Sequence, residues 1–248
     1  MDQFFVHSVQ ILGRLSPEIL LCVGFFTCIC FILFLFRFFG AIGLVCYSIA
    51  AVIIANIQVL KLGVFSWIEE PVALGTVVFS TLFTTSDLIT EHYGPSLAKK
   101  TIYLSFVVQI FVMFSMLVVI AHPELGSSKS HVHQGLEVLF TPSLRLLLAS
   151  LIAFVVSQHI DINIFSALKK LHGRNFLWLR GNVSVLISGF FDTVIFSLLG
   201  WIVFAKTPLP LNTVLIGFIG FSQVIRIFVS FLSTPLLYLS YRLKPNDI

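Results

Sequence analysis

Seven long apolar runs, parted by short polar or glycine-bearing breaks, account for most of the chain. They cover about Glu18–Phe36, Ala41–Leu60, Val72–Thr90, Thr101–Ala121, Ser143–Leu168, Val183–Ala205 and Leu211–Tyr241. Each is close to the roughly 20 residues a helix needs to cross a hydrocarbon core about 30 Å thick. The runs are continuous instead of alternating apolar with polar, so they predict helices and not the strands of a membrane barrel. The expected fold is an all-α polytopic membrane protein with about seven transmembrane helices: a six-helix core, 41–241, and an extra N-terminal helix within 1–40. Together, residues 1–248 read as a single membrane domain. The first run lacks a basic flank and a small-residue cleavage site, so it reads as a retained helix and not a signal peptide.

The breaks are predicted as loops. Arg37-Phe38-Phe39-Gly40 is a very tight turn, and Lys61–Pro71 is a loop in which Trp67 serves as an interface anchor. Pro95–Lys100 is a second loop. His122–Pro142 is the longest connection, rich in Gly, Ser and His, and His131 and His133 read there as solvated side chains. The last run is long enough to tilt or to kink at Pro235. One set of alternate breaks carries Arg37, Lys99, Lys100, Lys169, Lys170, Arg174, Arg180, Arg242 and Lys244. The other carries Arg14, Lys61, Lys129 and Lys206. By the positive-inside rule the first set is cytoplasmic, which puts the N-terminus outside and the C-terminus inside.

Polar residues interrupt the runs at helical spacing. Asp87 and Glu91 are i,i+4 on the third run, and Ser157, Gln158 and Asp161 cluster on the fifth. Ser184, Ser188 and Asp192 form an i, i+4, i+8 stripe on the sixth, and Gln223 and Arg226 share a face of the last. A carboxylate at the bilayer centre costs about 2.5–3.5 kcal/mol, so these stripes face inward, towards one another or a shared cavity. The bland alternative is that they bolt the bundle together, with Asp161 or Asp192 paired to Arg226. Three acids against one cation inside the runs leave charge over, which favours a bound ligand, water or a proton.

Composition agrees with the pattern. The chain has 248 residues, 58% hydrophobic and 10% charged, whereas a soluble domain carries about 25% charged residues. Its net charge of +4 and pI near 9.0 arise from the loop cations, with no basic patch interleaved with aromatics to suggest nucleic acid. The four cysteines, Cys22, Cys28, Cys30 and Cys46, lie in the first two runs and read as small hydrophobes. No metal, nucleotide or hydrolase motif occurs, so the reading is not an enzyme and needs no cofactor.

The ordered motifs resemble the queuosine precursor transporters, a branch of the vitamin uptake transporters. They are Ser86-Asp87…Glu91-His92-Tyr93-Gly94, Gln158…Asp161…Phe165, and Trp178-Leu179-Arg180…Ser184…Ser188…Asp192-Thr193. Asn56 with Lys61, and Arg226, match further positions. The resemblance spans about Ala50 to Tyr241. It implies a transporter in a bacterial inner membrane that imports a 7-deazaguanine, either a queuosine precursor or queuine, for tRNA modification. The implied substrate-binding residues are Asn56, Asp87, Glu91, Gln158, Asp161, Arg180, Ser184, Ser188, Asp192 and Arg226. Asp161 or Asp192 is expected to read the N1–H and 2-amino edge of the base. Where the family often has other residues, Val185 and Gly189 stand here, and Gly189 is expected to open room for a bulkier base. Two alternatives stand beside this reading: a substrate-binding subunit of an energy-coupled uptake complex, or a non-transporting scaffold. The expected partners are the deazapurine and the lipid bilayer, with homo-oligomer formation and coupling subunits left open.

Overall fold

The computed structural model describes residue 7 and residues 10–65, 68–123, 130–140, 143–173, 175–205, 211 and 220–243. Trp67, Lys129, Arg174, Lys206 and Lys244, and so the roles expected of them, lie outside the described residues. Helix α1 spans Pro17–Gln58, with Ser16 capping the Ile19 amide and Pro17 fitting the first turn, where its missing N–H costs nothing. A straight helix of that length would be about 63 Å long, twice a bilayer core. It is not straight. Gly40 adopts φ 53°, ψ −130°, a conformation essentially confined to glycine, and the chain doubles back there. The rings of Phe31 and Tyr47 consequently lie 6.3 Å apart across the hairpin. The tight turn expected at residues 37–40 is therefore present.

Strands β1 (Leu62–Phe65) and β2 (Ile68–Ala73) follow, then helices α2 (Thr76–His92), α3 (Pro95–Ala121), α4 (His131–Phe140) and α5 (Ser143–His172). Helix α6 (Leu177–Leu198) runs on into a π-helical turn, Leu199–Val203, and α7 covers Phe221–Ser240 straight through Pro235. Four expected loops are corrected here. Lys61–Pro71 is largely an antiparallel hairpin pairing Leu62 with Ala73; in a two-stranded ribbon both strands are edges, and an edge tolerates Pro71. Pro95–Lys100 is the opening of α3, where a proline at the first position starts the helix and the charges stay at its end. The connection after α3 contains α4, where His133 lies 3.3 Å from Glu137 one turn on, so it is not a free loop histidine. Trp178-Leu179-Arg180 belongs to the first turn of α6 and not to a basic loop.

Five helices among the described residues are long and apolar enough to cross a membrane: α1, α3, α5, α6 and α7. Exposed phenylalanines such as Phe34, Phe111, Phe190 and Phe228 cover their outer surfaces, an apolar area far beyond what water tolerates. The chain is an all-α, multi-pass membrane protein. Helix α2 is the exception in composition, and its position explains why. Every residue from 80 to 90 is buried, because α1, α3, α5, α6 and α7 all pack around it. A helix that never meets lipid can carry TLFTTSDLIT, provided its neighbours supply hydrogen-bond partners. They supply several, including Tyr47 Oη to Thr81 Oγ1 at 2.6 Å.

Candidate functional site

The polar stripes of α2, α5 and α6 face one another, and α7 packs on both α2 and α6. Along α6 they form three levels, and the twelve-residue step from Arg180 to Asp192 spans about 18 Å.

At the first level, Asp192 of α6 is ion-paired with Arg226 of α7 and accepts a hydrogen bond from Ser157 Oγ of α5 at 3.1 Å. The Arg226 guanidinium also lies over the rings of Phe79 and Phe83, at 5.7 and 5.5 Å. Carboxylate on one side and aromatic faces on the other replace much of the hydration the arginine loses. Gly189 sits one turn before Asp192, and a β-carbon there would stand 3.2 Å from Arg226 Cδ. The space at Gly189 holds the arginine. It is not spare room for a larger base, and that expectation is corrected.

At the third level, Arg180 is 1% exposed and lies 2.7 Å from Glu91 of α2. It also donates to the Gly173 carbonyl and covers the Phe165 ring at 5.4 Å. Glu91 collects two further donors. Lys169 of α5 is 3.3 Å from its carboxylate and bonds its backbone carbonyl at 2.7 Å, and the Tyr241 hydroxyl donates to Oε1. Partial burial, then the bond to the Glu91 carboxylate, pushes the Tyr241 phenol up to about 12. Lys169, expected only as an orientation signal, also pairs with a buried carboxylate.

Between these levels lie Asp87 and Asp161, 1% and 0% exposed, on α2 and α5. The Ser184 hydroxyl of α6 interacts with both, and Ser188 Oγ donates to Asp161 Oδ1 at 3.1 Å. No cation pairs with either acid among the described residues, and Asp87 Oδ1 and Asp161 Oδ2 have no hydrogen-bond partner. Two buried carboxylates thus sit unneutralised between two neutralised ones.

Of the ten residues expected at the site, Asp87, Glu91, Asp161, Arg180, Ser184, Ser188, Asp192 and Arg226 fall on these three levels. Gln158 is buried but lines a separate small cavity with Ser86 and Ser105, on the α3 side of α5. Asn56 bonds the Val52 carbonyl of its own helix at 2.9 Å, its only hydrogen bond among the described residues. The structure does not bring it to the acids. Asn182 was missed: it accepts from Ser230 Oγ at 2.7 Å and donates to Thr234 Oγ1 at 2.9 Å, joining α6 to α7. Its place two residues before Ser184, off the stripe, gave no periodic signal.

A lipid-embedded helical bundle with a polar track through its middle, and unpaired acids halfway along, defines a membrane transport protein. A family model described as "Putative vitamin uptake transporter" matches residues 73–240, and the chain belongs to that family. A Bacillus subtilis (strain 168) protein named "Probable queuosine precursor transporter" is 32% identical over 226 residues, 90% of this chain and 95% of the relative. A Haemophilus influenzae protein of the same name is 26% identical over 122 residues, 49% of this chain and 48% of its own length. No solved structure matches the chain.

Proposed function

We propose that this protein imports a 7-deazaguanine base, a queuosine precursor or queuine, across the bacterial inner membrane to supply tRNA modification. The names of the two relatives support the substrate class. One observation carries the site assignment: the enclosed Asp161 carboxylate, held by Ser188 on one oxygen and unpartnered on the other. A deazaguanine presents N1–H and a 2-amino group side by side, and one carboxylate accepts both. Asp192 was the equal candidate for this role, but Arg226 and Ser157 already occupy it. Phe83 and Phe165 lie one helical turn from Asp87 and Asp161 on the same faces, and each ring already carries an arginine, Arg226 over Phe83 and Arg180 over Phe165. A buried site built for these donors rejects bases that lack them, because its acid is then left unpaired.

The same reading takes the two arms of α1 together with α2, α3, α5, α6 and α7 as seven crossings of one domain, with arm 17–39 as an added N-terminal helix. The N-terminus is outside and the C-terminus cytoplasmic. Lys99, Lys100, Lys169, Lys170 and Arg242 then all belong to the inner side, with the Arg180 level nearest to it. The chain carries base by itself, without catalysis. Purified protein in liposomes is expected to take up queuine, and Asp161→Asn to lower uptake about 100-fold, in line with the 2–5 kcal/mol of a lost buried charge contact. Normal uptake by a well-expressed Asp161→Asn variant would show that another group reads the base.

A further inference from the structure

The three-level track leaves one acid without a task. Asp161 reads the base in the reading above, and Asp192 and Glu91 are neutralised by Arg226 and Arg180. Asp87 is enclosed by five helices and is not paired. The charged groups around it are Asp161 from α5, Glu91 from its own helix and Arg180 from α6, and Arg180 is turned to Glu91. From α7, Arg226 is turned to Asp192, and Tyr241 donates to Glu91. From α1, Tyr47 is bonded to Thr81 and Ser48 lines a small cavity with Ser86, to which α3 contributes the uncharged Thr101 and Ser105. Four enclosed carboxylates therefore face two enclosed arginines and Lys169, whose side chain is 34% exposed. At least one positive charge is missing.

A second observation shows where such a charge would come from. On the α3 side of α5 is a cavity of about 10 Å³ lined by Ser48, Ser86, Thr101, Ser105 and Gln158, among others. That volume fits one water molecule. Ser86 Oγ, Ser105 Oγ and Gln158 Nε2 are buried there without hydrogen-bond partners, which an apolar void would not leave. Ser86 adjoins Asp87 in sequence, and Gln158 lies one turn from Asp161. Three orphaned polar groups around a water-sized space make a hydration site on the same helix turns that carry the unpaired acids.

We propose that Asp87, sharing with Asp161 and fed through the Ser86–Ser105–Gln158 hydration site, binds the proton that drives import, so that one proton enters with each base. The proton arrives on Asp87 from the outer side, balances the acid pair while the base is bound to Asp161, and leaves to the cytoplasm when the base does. Nothing else is consumed. This rests on the deazaguanine reading of the site.

The test uses the full chain in liposomes holding a pH dye, with the membrane potential clamped at zero. With queuine as probe and the outside one pH unit more acidic, wild type is expected to accumulate it about tenfold, the ratio that one pH unit supplies to one proton, with matching acidification inside. Asp87→Asn is expected to lose both the accumulation and the acidification, and Asp87→Glu, which restores a titrating carboxyl, to regain both. Accumulation in wild type that ignores the gradient overturns the proton role, and so does gradient-driven accumulation by Asp87→Asn. If Asp87→Asn does not fold, the wild-type gradient experiment decides alone. Absence of uptake for every deazaguanine overturns the substrate reading and this proposal together, whereas uptake indifferent to the gradient overturns only the proton.

Discussion

The two arginine levels look alike at first. Each sets a guanidinium between a carboxylate and phenylalanine rings, and each joins α6 to another helix. Their support differs. Asp192 has Arg226 and one serine. Glu91 has Arg180, Lys169 and Tyr241, and the last two are partly exposed. One level is an enclosed, single-cation pair; the other is a shared, partly exposed network. A buried acid with one cation depends wholly on it, while an acid with three donors loses a fraction when any one goes.

The comparison breaks most visibly under arginine replacement. Arg226→Gln strands the Asp192 carboxylate and is expected to cost about 3–5 kcal/mol, read as a fall in the unfolding midpoint in detergent. Arg180→Gln is expected to cost less than that, because Lys169 and Tyr241 stay on Glu91. Equal losses would remove the distinction drawn here, and adding Asp192→Asn to Arg226→Gln should restore part of the stability.

Crowding the enclosed level is a milder test. Gly189→Ala places a methyl 3.2 Å from Arg226 Cδ, so the arginine must give by a few tenths of an ångström. The expected cost is about 1 kcal/mol, typical of mild overpacking, with a weakened Arg226–Asp192 pair. If Gly189→Ala instead left stability intact and only excluded queuine, Gly189 would line the substrate space after all.

The smallest effect is expected at Tyr241→Phe, which removes one of the donors to Glu91 at a half-exposed position and costs about 1 kcal/mol or less. The sign of its pH dependence follows from the raised phenol. The neutral phenol is favoured in the folded state, so its contribution is complete below the ordinary tyrosine range near 10. It fades as pH rises towards about 12. Spectroscopic titration should show one tyrosine class near pH 12 that Tyr241→Phe deletes.

The enclosed level was the more legible in the sequence. Ser184, Ser188 and Asp192 repeat every fourth residue within an apolar run, and that periodicity alone turns them to one side. Arg226 lies inside a run, so it needed an acid, and Asp192 was one of two available. The shared level was obscured for a physical reason. Arg180 and Lys169 sit at helix ends, where a basic residue looks the same whether it marks the cytoplasmic face or folds back onto a carboxylate. The hairpin at Leu62–Ala73 was hidden by Gly63 and Pro71, and the doubling back at Gly40 was legible because α1 is too long to be one crossing. What remained out of reach was which acid each cation takes, since that depends on helix–helix distances that periodicity does not contain. That choice is what leaves Asp87 and Asp161 free.

Ligand-dependent thermal stabilisation with queuine, its precursors and guanine tests the central claim most directly, comparing wild type with Asp161→Asn. At a ligand concentration 100 times the dissociation constant, binding adds about 2.7 kcal/mol to stability. The deazaguanines are expected to raise the wild-type midpoint and to leave that of Asp161→Asn unmoved. Equal stabilisation of both proteins, or of neither by any base, would contradict a deazaguanine site at Asp161.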